Sequence, residues 1–160
     1  WDEEKDIAMN QSRRTFLQTT LATALASGGL HAQAVPVGRK LRIAGIGVGG
    51  MGLSNMTNLA GEDIVALCDV HETWHQAAIA NQPKLHGIKL WKDYRVMYDK
   101  LGKEIDAFYI ATPEHVHFAV SMFAIKRGIH VYTQKPLCHT LKEVRVLTEE
   151  ARRHKVVRGT

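Results

Sequence analysis

The stretch from Leu41 to Gly52, Leu-Arg-Ile-Ala-Gly-Ile-Gly-Val-Gly-Gly-Met-Gly, constrains this chain more than any other. It begins as an apolar run and ends in glycines. Gly45, Gly47 and Gly50 have the G-x-G-x-x-G spacing. Residues without a Cβ can take the tight turn at a strand's end, let a pyrophosphate approach the main chain, and let the next helix pack close. A helix starting at the last glycine points unpaired N–H groups and its positive dipole end at phosphate. The spacing also fits a plain turn, so its meaning depends on what surrounds it.

Strands and helices alternate on either side of the glycines. Lys40–Ile46 reads as a strand, Met51–Ala60 as a helix, Asp63–Cys68 as a second strand ended by Asp69, and Glu72–Gln82 as a helix closed by Pro83. Ile88–Trp91 is a brief third strand. Asp93–Leu101 then places Tyr94, Met97, Tyr98 and Leu101 on one helical face, with Gly102 at its end. Ile105–Ala111 is a fourth strand, and Thr112-Pro113-Glu114 opens a helix with Thr112 as N-cap and Pro113 at the first position. That helix runs to about Arg127 and is stopped by Gly128. Ile129–Thr133 is a fifth strand, Thr140–Glu143 a capping box, and Val156-Val157 a strand beginning. Continuous apolar strands separated by helices predict a doubly wound α/β fold of Rossmann type, a parallel sheet covered on both faces.

That context favours dinucleotide binding. Asp69 lies 19 positions after Gly50 at the end of the second strand, where a carboxylate can accept both ribose hydroxyls and repel a 2′-phosphate. NAD is therefore expected over NADP. A strand-end turn aspartate is the plainer alternative. Neither Val70 nor His71 offers a fixed cation for a 2′-phosphate, although a protonated His71 could.

The 160 residues suit one ordinary domain, with 45% hydrophobic and 23% charged residues. A formal net charge of +5 raises the question of nucleic acid, but the basic residues are scattered and solvated helix faces explain them. Cys68 and Cys138 have no metal spacing, and His115 and His117, two apart, point to different helix faces, so no metal is expected.

The amino terminus reads differently. Arg13-Arg14, a Thr- and Ala-rich run from Phe16 to Leu30, and Ala32-Gln33-Ala34 follow one another as charged region, apolar region and cleavage site. Ser12-Arg13-Arg14-Thr15-Phe16-Leu17 resembles a twin-arginine export signal, which assigns residues 9–34 to a signal peptide and implies a periplasmic or exported protein. An Ala-rich helix is the alternative. Gln18, Thr19, Thr20 and Thr23 interrupt the run, which falls short of the roughly 20 apolar residues of a membrane span. Residues 1–8, upstream of Met9, read as a non-native extension, leaving 35–160 for the dinucleotide-binding domain.

From about Lys40 to Val157 the chain resembles the Gfo/Idh/MocA family of NAD(P)-dependent oxidoreductases. The likeness rests on G-I-G-V-G-G-M-G, A-L-C-D-V, W-K-D-Y-R, I-D-A-F-Y-I-A-T-P-E-H-V-H and G-I-H-V-Y-T-Q-K-P-L, in that order. It implies that Gly45, Gly47, Val48, Gly49, Gly50, Met51 and Asp69 hold the cofactor. By the same likeness Thr112, Pro113 and His117 fall on the T-P-x-x-x-H segment lining the cofactor. Lys135 falls on the lysine of the family's E-K-P signature, beside the nicotinamide and the reacting hydroxyl, as both a cofactor-binding and a catalytic residue. Here Gln134 replaces the signature's glutamate, removing a charge that would support a protonated lysine.

The resemblance further implies a second, largely antiparallel α+β domain carrying the substrate pocket and the oligomer interface. None of it precedes Thr160, so the chain reads as a fragment. The expected activity is hydride transfer on a sugar, polyol or related hydroxyl compound. A glycosidase using bound NAD transiently, and a dinucleotide-binding module without turnover, are the alternatives.

Overall fold

The computed structural model describes residues 38–59, 61–81 and 85–160. The segments read as an extension (1–8) and a signal peptide (9–34) lie outside the described residues.

Six strands form one parallel sheet. In chain order the elements are β1 (Arg42–Ile46), α1 (Met51–Asn58), β2 (Asp63–Cys68), α2 (Glu72–Asn81), β3 (Leu90–Trp91), α3 (Tyr94–Leu101), β4 (Ala107–Ile110), α4 (Glu114–Ile125), β5 (His130–Thr133), α5 (Leu141–His154) and β6 (Arg158–Gly159). Their spatial order is β3-β2-β1-β4-β5-β6. The chain therefore works outward from β1 in one direction, returns, and works outward from β4 in the other. β1 and β4 lie side by side, with Gly45 opposite Tyr109 and Ile46 opposite Ile110. A doubly wound sheet opens a crevice at such a reversal, beyond the carboxyl ends of the two strands.

Alternate side chains of the strands feed two cores. On one face Ile43, Leu67 and Tyr109 pack with Met56 of α1 and Ala78 of α2. On the other, Ala44, Ile46, Phe108 and Ile110 pack with Met97 of α3, Val120 and Ala124 of α4, and Leu147 of α5. The central strands β1 and β4 are buried from Ile43 to Ile46 and from Phe108 to Ile110, on both faces of the sheet, and their sequence there carries no charged residue.

Local signals in the sequence account for most element ends. Asp93 caps α3 by accepting from the Arg95 N–H at 2.8 Å. Thr140 and Glu143 complete the capping box of α5 in both directions. Gly102 is the C-cap of α3, as expected, with a φ of −53°, and its missing Cβ leaves room for the Tyr98 ring, which would stand 2.7 Å from an added Cβ. Two expectations are corrected. Thr112 makes no cap: Pro113 occupies that position, because its fixed φ of −56° with ψ of 143° is extended while Glu114 already begins the helix. The sixth strand pairs at Arg158–Gly159, just after the expected Val156-Val157: Val156 turns inward, and the ladder to β5 opens with the Val157 carbonyl accepting from the Val131 N–H at 3.0 Å.

At the amino-terminal edge of the sheet, buried Asp106 ties the start of β4 to the Arg39–Arg42 stretch that leads into β1. One oxygen accepts from the Arg42 N–H at 2.8 Å and from its Nε at 3.2 Å. The other accepts from Nη2 of Arg42 at 2.9 Å and of Arg39 at 3.0 Å. Burial pushes this carboxyl up, and the hydrogen bonds from Arg42 and Arg39 outweigh it, holding the group well below the usual carboxylate range. A carboxyl whose native value is depressed contributes stability that is present above its unfolded value, near 4, and lost as pH falls below it. Asp106→Ala should cost about 2–3 kcal/mol, at or below the lower end for breaking a buried pair because the arginines are partly solvated. Urea denaturation of the wild type should show stability falling below about pH 4, and an Asp106→Asn variant should show a flatter decline there.

Candidate functional site

The turn after β1 is built by missing side chains. Gly47 has a φ of +81°, and a Cβ on it would lie 2.7 Å from the backbone of Ala111 and Thr112, just past β4. Gly49 lies under the Trp74 ring, which would stand 2.7 Å from an added Cβ. Gly52, in the first turn of α1, faces the carbonyl oxygen of Gly47 with no room for a side chain.

The structural G-x-G-x-x-G is therefore Gly47, Gly49 and Gly52, two residues later than the expected Gly45, Gly47 and Gly50. Gly45 sits inside β1, between Leu67 and Tyr109, and what its missing Cβ accommodates is the end of Met56. Gly50 adopts a φ of +50° with open space before it, and exposed Met51 begins the helix. Val48 departs from expectation as well: its side chain is fully buried in the core, and only its backbone belongs to the turn.

Asp69 braces this turn. Oδ2 accepts from the Val48 N–H and Oδ1 from the His71 N–H, each at 2.9 Å. The carboxylate thus ties the end of β2 to the glycine turn, and lone pairs remain on both oxygens for hydroxyl donors. The Gly49 and Gly50 N–H groups donate to no acceptor among the described residues.

Beyond these strand ends lies a cavity of about 740 Å³. Its walls include Gly47 and Gly49 from the turn, Asp69, His71 and Trp74 after β2, Tyr94 and Arg95 after β3, and Thr112 and Pro113 after β4. Trp74, Tyr94 and Arg95 were not among the expected site residues, although Tyr94 and Arg95 fall in the W-K-D-Y-R stretch. An aromatic one turn into the helix after Asp69, and the charged run after Trp91, are the signals that could have found them. Arg95 is engaged by Asp93, Nε to Oδ1 at 2.9 Å and Nη2 to Oδ2 at 2.6 Å. Its side-chain hydrogen bonds hold the Asp93 carboxyl down to about 2. The pair is neutral as a unit, with Nε and Nη2 of the guanidinium committed to Asp93. Burial pushes the Cys68 thiol up to about 12, so this cavity-lining cysteine is neither thiolate nor nucleophile.

The second group of expected residues lies beside the cavity. His117 does not line it: the ring is buried, with Nδ1 at 2.8 Å from the Pro136 carbonyl oxygen and Nε2 at 2.7 Å from that of Thr112. Lys135 is exposed on the loop after β5 and does not line the cavity either. Gln134 on that loop accepts from Asn55 of α1 at 3.3 Å, and Asn55 also donates to the Tyr109 hydroxyl at 2.8 Å. Among the described residues the buried Thr112 hydroxyl has no hydrogen-bond partner.

A profile of the Gfo/Idh/MocA group, described as "Oxidoreductase family, NAD-binding Rossmann fold", matches residues 41–159. The chain belongs to this family. It is 28% identical over 141 residues to glycosyl hydrolase family 109 protein 1 of Akkermansia muciniphila, covering 82% of this chain and 29% of the relative. It is 39% identical over 57 residues to 1,5-anhydro-D-fructose reductase of Ensifer adhaerens, covering 36% of this chain and 17% of the relative. Among solved structures, a dehydrogenase from Chromobacterium violaceum superposes with a TM-score of 0.64 at 26% identity, covering 74% of this chain and 34% of that one. The Gfo/Idh/MocA chain thus spans about a third or less of the proteins it resembles.

The family's fold is an NAD-binding one, and the residues present fit that cofactor. The turn holds the Gly47–Gly49–Gly52 cradle, two N–H groups without acceptors and a strand-end carboxylate. Gly47→Ala and Gly52→Ala should each cost more than about 2 kcal/mol, since the obstructing atoms are backbone. Gly45→Ala should cost about 1 kcal/mol or less, because the flexible end of Met56 can yield. Chemical denaturation of the three variants measures this order, and a Gly45 cost equal to the others would restore the spacing that begins at Gly45.

Proposed function

We propose that this domain holds NAD in an exported oxidoreductase that takes hydride from a hydroxyl-bearing carbon of a sugar, polyol or related compound. The observation that carries the reading is the crevice at the strand reversal, where the glycine turn, Asp69 and the 740 Å³ cavity meet. NAD, when bound, supplies the hydride acceptor. Gly49 and Gly50 offer backbone donors to its phosphates, and Met51 begins the helix whose positive end faces them. Asp69 accepts from the adenosine ribose and disfavours a 2′-phosphate, which makes NADP the poorer ligand. Thr112 and Pro113 form the wall on the β4 side.

Lys135 is the catalytic residue in this reading, a cation that hydrogen-bonds the substrate oxygen and stabilises its negative charge as hydride leaves carbon. Gln134 contributes no charge to it. A further domain of the whole protein would supply the substrate pocket and any oligomer interface. Export is supported by Ser12-Arg13-Arg14-Thr15-Phe16-Leu17 and the run behind it. Among the described residues no helix is long and apolar enough to cross a membrane.

A second reading, the NAD-assisted glycosidase, is favoured by the relatives bearing the family 109 glycosyl hydrolase name. Bound NAD would then be reduced and reoxidised within one turnover. Product analysis of the full-length protein separates the two readings: oxidation accumulates NADH in step with a carbonyl product, and the glycosidase releases free sugar with no net NADH.

The cofactor assignment has its own test. Asp69→Ser should shift the NAD:NADP affinity ratio toward NADP by at least about tenfold, or 1.4 kcal/mol. The ratio cancels any looseness the lost Val48 bond confers on both ligands, and an unchanged ratio in calorimetry removes Asp69 from its role.

A further inference from the structure

Lys135 makes no hydrogen bond or ion pair among the described residues, and its side chain is exposed. Only its backbone aims it. That backbone is tethered on both sides. Before it, the Gln134 N–H donates to the Ile110 carbonyl at 2.7 Å, and the Gln134 side chain reaches Asn55. After it, the Pro136 carbonyl oxygen meets Nδ1 of His117 at 2.8 Å. The opposite ring nitrogen of the same histidine meets the carbonyl oxygen of Thr112 at 2.7 Å.

We propose that His117 is a positioning residue that clamps the Lys135–Pro136 loop to the Thr112 wall of the cavity by donating from both ring nitrogens to two backbone carbonyls. The importance given to Lys135 rests on the function proposed above, whereas the clamp is read from geometry alone. His117 is 1% exposed, so water does not substitute for either contact. Both partners can only accept, so both contacts are hydrogen bonds only when the ring carries a hydrogen on each nitrogen. Donors of that kind form short, strong bonds, consistent with both distances. The ring stands on the first turn of α4, whose Val120, Ala124 and Ile125 are fully buried, so the clamp is fixed to a packed helix. Two loops that leave different strands, β4 and β5, are thereby held at one separation. One lines the cavity and the other carries the lysine. No other side chain on the described part of either loop bridges to the other by hydrogen bonding, and the hydroxyl pair of Ser121 and Thr133 joins only α4 to the end of β5.

Imidazole-labelled protein examined by nitrogen-proton correlation at neutral pH tests the clamp without any ligand. The clamp predicts two ring hydrogens on His117, each coupled across a hydrogen bond, one to the Thr112 carbonyl and one to the Pro136 carbonyl. A single ring hydrogen overturns it. His117→Gln supplies donors from one nitrogen only, so amide hydrogen exchange at Lys135, Leu137 and Cys138 should accelerate at least tenfold while β1 and β4 keep their protection. Unchanged exchange in the loop, or acceleration spread evenly over the sheet, assigns His117 to packing and overturns the proposal. Should the variant not fold, the spectrum of the wild type decides alone. Neither readout involves NAD, so a clamp that fails is distinguishable from a cofactor assignment that fails.

Discussion

The backbone of Gly47 lies against that of Ala111 and Thr112 with no room for even a methyl group between them. Much else depends on that contact. It brings the ends of β1 and β4 together where the chain reverses its direction across the sheet, and it forces the turn that exposes the Gly49 and Gly50 N–H groups. A parallel sheet of this order opens a crevice there, so a place where a ligand can approach the backbone is also one where side chains are not tolerated. Asp69 completes the arrangement, spanning from β2 to the turn through Val48 and to its own strand end through His71.

The two ends of the sheet divide the chemical tasks. At the amino-terminal edge, Asp106 is surrounded by Arg42 and Arg39 and is consumed in joining strands. At the carboxyl edge, Asp69 uses each oxygen once, on backbone, and retains capacity for a ligand. Both are aspartates beside strands, and their partners rather than their sequence positions separate the one used up in structure from the one with acceptor capacity left over. The same distinction applies to Arg95, a cation in the cavity wall whose guanidinium is engaged by Asp93.

The features legible in the sequence were those that depend on neighbours along the chain. The parallel alternation came from apolar runs and breakers, β2 ran between the expected residues, and the Asp93 and Thr140 caps lie where short-range chemistry puts them. Two identical glycine spacings overlap between Gly45 and Gly52, and counting cannot tell which begins the turn. That depends on where β1 stops pairing, a property of Leu67, Cys68 and Ile110 as much as of the glycines. Thr112 failed as a cap because the next residue, a proline, took the extended cap position itself. His117 was legible as important but not in its manner, since its two partners are carbonyls from separate loops. The cavity walls at Trp74 and Tyr94 come from the helices after two different strands, β2 and β3, which no local pattern encodes.

Whether the crevice at the strand reversal receives the dinucleotide is tested most directly by titrating NAD while following backbone amide resonances. The amides of Gly47–Gly52, Asp69–His71 and Ala111–Thr112 should move together and saturate, while Arg42 and Asp106 at the opposite edge stay in place. No movement at millimolar NAD or NADP, or movement centred on the opposite edge, would contradict it.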